Sequence, residues 1–330
     1  MEPPSPHPWQ AFAVAATGTL MSTLDAGIVN VALPVIAERH GADLTFAQWA
    51  ISGYLLVITC LLPLCGRLGD MYGRRVVFST GFLVFGVASM LCGAAPSLGA
   101  LVAARLLQGV GAAMLMANGP ALIMTAFPGP ERGRALGFQG MVVALGSLAG
   151  PAVGGLILEA FGWRFGFYVN APIVAAGILA SLKVLPRPAA SAREPLDAAG
   201  ALLFAAGMLG LLLGLSHGRE WGFVSPKTLG CLALAALALP LFAARERRIQ
   251  TPMIDFALLL HRPFLTGNLA ALLSFMALFA NAILLPFYLH DELSVAPARI
   301  GLVLAVLPLT MSVAAPLSGF LSERRNFALF

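Results

Sequence analysis

Ten apolar stretches, each close to the length that crosses a bilayer, leave this chain one kind of fold. They lie at about 12–35, 47–66, 76–95, 98–122, 135–160, 165–185, 198–215, 228–244, 264–289 and 300–321, and about 20 apolar residues span a hydrocarbon core. Lipid offers no partner to a free backbone N–H or C=O, so each span must be helical. A membrane barrel would show alternating strands of about ten residues instead. Only 11% of the residues are charged, against about 25% in a soluble domain. A soluble enzyme, a disulfide scaffold and a nucleic-acid-binding domain are therefore excluded. The expectation is an all-α integral membrane protein with about ten transmembrane helices and the lipid bilayer as its first partner.

Orientation follows from the cations. With the N-terminus inside, the inner segments hold Arg67, Arg74, Arg75, Arg132, Arg134, Lys183, Arg187, Arg193, Arg245, Arg247, Arg248, Arg262, Arg324 and Arg325. The outer segments hold only Arg39, Arg164, Arg219, Lys227 and Arg299, and Arg105 lies within a span. Both termini are thus expected in the cytoplasm, and the net charge of +5 reflects topology rather than an acidic partner. The first apolar run lacks a basic leader and a small-residue cleavage site, so it reads as a retained span. Cys60, Cys65, Cys92 and Cys231 fall inside spans without metal-ligand spacing and read as small packing residues.

An internal repeat is present. Pro63-Leu64-x-Gly66-x-Leu68-x-Asp70 ends the second span, and Pro316-Leu317-x-Gly319-x-Leu321-x-Glu323 ends the tenth. Paired repeats of this kind mark transporters whose substrate sits where the halves meet.

The energy source is constrained by absences. Lys183 and Lys227 are the only lysines, so no Gly-x-x-x-x-Gly-Lys-Ser/Thr nucleotide loop can form. The sequence contains no nucleophile elbow and no His/Glu metal cluster, and no cofactor, metal or enzyme activity is expected. Uphill transport would need an ion gradient.

Two ionisable residues lie within the hydrocarbon. Asp25 is about 20 Å along span one, and Arg105 about 10 Å into span four from the opposite end, at about 1.5 Å per residue. Across about 30 Å of hydrocarbon the two depths coincide, so they can face one another. Intramembrane charges are costly and are functional candidates by default; the other reading is a static structural ion pair. At the inner end of span two, Gly66-Arg-Leu-Gly-Asp70-Met-Tyr-Gly73-Arg74-Arg75 combines turn glycines with an acid and two arginines placed for charge-assisted bonds. In span five, Gly146, Gly150 and Gly154 repeat every four residues beside Pro151 and Gly155, giving a groove for close helix approach with a bend. Trp163-Arg164 reads as an interfacial anchor.

Together these segments resemble the major facilitator superfamily, and within it the fourteen-helix drug:proton antiporters. Leu24-Asp25-Ala-Gly-Ile-Val-Asn30-Val-Ala-Leu-Pro34 resembles that family's first-helix motif, Gly66–Arg75 its loop motif and Arg105-Leu-Leu-Gln-Gly109-Val-Gly111 its fourth-helix motif. The Gly150-Pro151 stretch, followed by Trp163-Arg164…Asn170-Ala-Pro172, resembles its antiporter motif. The resemblance implies proton-coupled export of amphipathic small molecules by alternating access in the bacterial inner membrane. It makes Asp25 and Arg105 proton-coupling residues, and Gly66, Asp70, Gly73, Arg74 and Arg75 a cytoplasmic gate. It assigns no substrate-binding residues.

Two departures stand out: Met71 occupies a usually basic position of the loop motif, and ten spans stand where the family has fourteen. The expected layout is a six-helix half at 1–190, two linker helices at 191–250 and the first two helices of an incomplete C-terminal half at 251–330. The loop-motif acid is expected to contact a C-terminal helix beyond these ten. Small-residue faces without partners would favour self-association. Two other readings stay open: export of an endogenous metabolite or sugar, and a non-transporting, truncated membrane protein.

Overall fold

The computed structural model describes residues 7–186, 196–249, 251–293 and 297–324. Arg187, Arg193, Arg325 and the boundary at 190/191 lie outside the described residues. Ten helices among the described residues are long and apolar enough to cross a membrane, and all ten expected spans are among them. Their main helices are α1 (Pro8–Arg39), α2 (Trp49–Tyr72), α3 (Arg74–Ala94), α4 (Leu98–Ala126), α5 (Arg132–Phe161), α6 (Asn170–Val184, the larger part of the sixth span, Phe165–Val184), α7 (Ala198–Trp221), α8 (Pro226–Glu246), α9 (Arg262–Phe287) and α10 (Pro297–Arg324).

The breaks follow local chemistry. Gly73, at φ 93°, takes a conformation that side-chain-bearing residues avoid, and so separates α2 from α3 within one residue. Ser97 caps α4 by accepting a hydrogen bond from Ala100 N, and Ser225 caps α8 through Thr228 N. The sixth span divides. A short helical turn at Phe165–Tyr168 ends at Val169, and Asn170 opens α6. Pro172 is tolerated there because the first turn of a helix has no use for its missing N–H.

α1 to α6 pack around two buried clusters. In the first, Phe78, Phe82 and Phe85 of α3 are fully buried. In the second, Trp163, Phe167, Leu101 and Ile36 close the other end of the bundle. Trp163 is only 4% exposed, which corrects its reading as an interfacial anchor. Arg164 lies over its ring at 4.4 Å and donates to Gly93 O at 2.6 Å and Ala95 O at 2.9 Å. That guanidinium closes the carbonyl end of α3.

The groove expected on α5 is real, and α1 fills it. A Cβ added at Gly150 would lie 2.9 Å from Gly27 Cα, and one at Gly154 would lie 2.8 Å from Ile28 Cα. Gly146 faces Thr23, and Pro151 packs on Gly27. Gly155, the neighbouring glycine of the motif, faces open space, off the groove. Farther along α5 the same device seats α10. Gly137 meets Ala315 O, and Gly319 of α10 meets Gly133 O, each within 2.5 Å of a would-be Cβ. Gly66, the repeat counterpart of Gly319, meets nothing.

α7 and α8 form a hairpin laid against α2, where Trp49 and His217 stack at 4.8 Å and the Cys60 thiol donates to Ala205 O at 3.6 Å. The hairpin is clasped at its open end by Asp197 and Arg245 at 2.8 Å. Hydrogen bonds from Arg245 hold the Asp197 carboxyl below the usual carboxylate range, so the clasp stays charged at neutral pH and is lost as acid protonates Asp197. Among the described residues, the apolar window of α9 contains no buried one.

Backbone-on-backbone packing makes a selective prediction. Gly150→Leu should destabilise the purified chain by about 1–3 kcal/mol or more through overpacking, while Gly155→Leu, equal in bulk and hydropathy, should cost far less. Thermal unfolding in detergent, followed by tryptophan fluorescence, checks this; equal losses would refute the groove.

Candidate functional site: a buried charge network

The two intramembrane charges meet. Arg105 Nη1 of α4 donates to Asp25 Oδ2 of α1 at 2.6 Å, and both residues are 0% exposed. Helix rise alone sets them at one depth, and the α1–α4 contact brings them together.

Further bonds hold both members of the pair. Arg105 Nη1 also donates to Gln108 Oε1 at 2.6 Å, and Arg105 Nε donates to Ala50 O of α2 at 2.8 Å. Its guanidinium lies 4.0 Å from the ring centroid of Tyr54, also on α2, an attractive arrangement for a desolvated cation. Asp25 Oδ1 accepts from Gln108 Nε2 at 3.0 Å and from Asn170 Nδ2 at 2.9 Å. Both amides share Ser89 Oγ of α3, at 2.8 Å from Gln108 and 3.2 Å from Asn170. The Cys92 thiol adds a long bond to Gln108 Oε1 at 3.7 Å. Five helices thus supply one closed network, and α5 presses on it from outside through the Gly27–Gly150 contact.

Sequence reasoning singled out Asp25 and Arg105 and missed Gln108, Ser89, Asn170 and Tyr54 as site residues. Gln108 was accessible: it stands three residues after Arg105, hence on the same helix face. Asn170 and Ser89 carried a weaker signal, a lone polar group in an apolar run.

The proposed gate residues form a second site. Arg74 Nη2 pairs with Asp70 Oδ1 at 3.1 Å, and Arg74 Nη1 donates to Ala121 O of α4 at 3.1 Å. Arg75 donates to Leu182 O at 2.6 Å and Leu185 O at 3.0 Å, closing the carbonyl end of α6. Asn118 of α4 fits against Gly69 and donates to Cys65 O at 3.1 Å. The motif ties the α2–α3 turn to α4 and α6, and Asp70 is paired within its own segment. The two sites stand near opposite ends of α2 and are not brought together.

Breaking the central pair from one side should be costly. Arg105→Met would leave a buried carboxylate uncompensated and should destabilise the chain by about 3–5 kcal/mol. Adding Asp25→Asn should recover much of that loss. Unfolding midpoints of the two single variants and the double variant check the coupling, and simple additivity would contradict the ion pair.

Comparison with known proteins extends this geometry. The sequence model described as Major Facilitator Superfamily matches residues 15–330. The chain is 35% identical over 319 residues to the riboflavin transporter RibZ of Clostridioides difficile strain 630, covering 96% of this chain and 69% of that protein. It is 38% identical over 313 residues to the puromycin resistance protein pur8 of Streptomyces alboniger, covering 94% and 61%. It is 33% identical over 319 residues to the tetracenomycin C resistance and export protein of Streptomyces glaucescens, covering 96% and 59%. The chain therefore spans between 59% and 69% of the length of these curated relatives. With ten apolar helices among the described residues, a buried Asp–Arg pair bonded by five of them, and a family match over residues 15–330, this chain belongs to the major facilitator superfamily of membrane transporters.

Proposed function

We propose that this chain serves proton-coupled export of drugs or other amphipathic small molecules, as a member of the fourteen-helix drug:proton antiporters. Its place is a bacterial plasma membrane, with both termini cytoplasmic. The observation that carries the reading is the fully buried Asp25, held by Arg105, Gln108 and Asn170. A lone carboxylate in hydrocarbon is too costly to persist, but one surrounded by donors can ionise there. Protonation removes its charge, weakens the bond to Arg105, and leaves a buried guanidinium whose best partner is gone. A rearrangement that brings Arg105 a new partner then becomes favourable, which is what coupling requires.

In this reading residues 1–190 are the N-terminal transporter half, 191–250 the two linker helices, and 251–330 the start of the C-terminal half. The support is the packing of α1–α6 about one network, the separate α7–α8 hairpin, and the seating of α10 on α5. Asp70, Arg74 and Arg75, with the turn glycine Gly73 and with Gly66, which lies within α2 rather than in the turn expected of it, form the cytoplasmic gate. Gly146, Gly150, Pro151 and Gly154 act as the antiporter groove by fixing α1 beside Asp25.

Relatives named for resistance to puromycin and for export of tetracenomycin C favour an amphipathic drug as cargo. The relative named as a riboflavin transporter supports a second reading, export of an endogenous metabolite. Inverted membrane vesicles made acidic inside test both, with ethidium, puromycin and riboflavin as probes. Wild-type chain should accumulate at least one probe only while the pH gradient lasts. Asp25→Asn should abolish that accumulation and leave membrane insertion intact. Undiminished transport by Asp25→Asn would remove this residue from the mechanism.

A further inference from the structure

An ionised carboxylate only accepts hydrogen bonds, whereas a protonated one must also donate. Every hydrogen bond given for the Asp25 carboxylate comes from an N–H: Arg105 Nη1 on Oδ2, with Gln108 Nε2 and Asn170 Nδ2 on Oδ1. The site is built for the charged form. Protonating Asp25 therefore adds an O–H with no acceptor, unless one neighbour changes role.

Arg105 has no acceptor atom. Gln108 has one, but its Oε1 already receives Arg105 Nη1 at 2.6 Å and the Cys92 thiol. Turning that amide would break the Arg105–Gln108 bond and set two N–H groups face to face. Tyr54 Oη forms no hydrogen bond with Asp25. Asn170 differs. Both of its described bonds, to Asp25 Oδ1 and Ser89 Oγ, run through Nδ2. A half-turn of its amide puts Oδ1 in that place, where it accepts the carboxyl O–H. Ser89 follows, since a hydroxyl donates as readily as it accepts. Its oxygen stays available to Gln108 Nε2 while its proton turns to Asn170.

We infer that Asn170 is a positioning residue for the coupling proton: its amide donates to ionised Asp25, reverses to accept from protonated Asp25, and passes the change to α3 through Ser89. The inference deepens the proton-coupling reading and rests on it. The titratable or charged groups facing Asp25 are Arg105 from α4, Tyr54 from α2 and Cys92 from α3. At this level α5 presents Gly146, Gly150, Pro151 and Gly154, and α6 presents Asn170 itself, so neither helix adds a competing charge.

The test is infrared titration of the full chain in lipid vesicles, with the Asp25 carboxyl band assigned by its loss in Asp25→Asn. Asn170→Leu removes the amide bond from both forms of Asp25, and the charge-assisted bond to the ionised carboxylate is the stronger of the two. It should raise the midpoint of the Asp25 band by about one pH unit, a tenfold gain in proton affinity. Asn170→Ser, which keeps a shorter group able to donate and accept, should shift it less in the same direction, and carries the test should the leucine variant fail to insert. With isotopically labelled asparagine, the Asn170 amide band should move as Asp25 protonates, and stay still in Asp25→Asn. A midpoint unmoved by either substitution, or an amide band indifferent to Asp25, overturns this inference alone. Absence of any titrating Asp25 band overturns the proton-coupling reading and the inference with it.

Discussion

A carboxylate and a guanidinium, both fully buried at 2.6 Å, set the terms for everything packed around them. Taking two charges out of water costs several kcal/mol each, and their attraction offsets that only when the geometry is good and the remaining lone pairs and protons are satisfied. Here each requirement falls on a different helix. α2 supplies a carbonyl and an aromatic face, α3 a hydroxyl, α4 a glutamine, and α6 an amide. The polar network thus fixes the azimuth of five helices at once. In a medium where apolar side chains gain little by leaving lipid for protein, such a node supplies specificity that greasy contacts cannot.

The same node shows how much of the molecule could be read from its sequence. Charge is so rare inside these spans that Asp25 and Arg105 announce themselves, and helix rise alone puts them at one depth. Span positions were equally legible because backbone satisfaction in lipid admits only helices. Neutral partners were harder. Ser89 and Asn170 look like the many hydroxyl and amide groups that bond to their own helix, as Ser22 and Thr23 do here. Their importance depends on azimuth and on the break at Val169, which are tertiary facts. Trp163 misled because aromatic residues beside arginine mark lipid interfaces on average, while this one fills the gap between two helix ends. Gly155 stands beside the four-residue repeat of Gly146, Gly150 and Gly154 and takes no part in their contact with α1.

Outside the node, arginines tie helix ends together. Counted along the sequence, they give only an orientation. In three dimensions Arg75 and Arg164 each close the carbonyl end of a neighbouring helix, α6 and α3 respectively. The planar fork of guanidinium reaches two carbonyls at once, which an ammonium point charge does less well. The scarcity of lysine in this chain fits that use, since the cations at the helix ends also serve as connectors.

α5 has two separate engagements: residues 133–140 hold α10, and residues 146–154 hold α1 beside Asp25. The helix is therefore a lever. From Gly137 to Gly150 the arm is about 20 Å long at 1.5 Å per residue, so a tilt of about ten degrees about the α10 end carries Gly150 through about 3.5 Å. Hydrogen bonds keep their strength over a span of only about 0.5 Å. With backbone pressed against backbone at Gly27 and no side chain to absorb the stroke, a small rotation at one end of α5 is geared up, at the other, into a displacement that the bonds of Asp25 have no means of following.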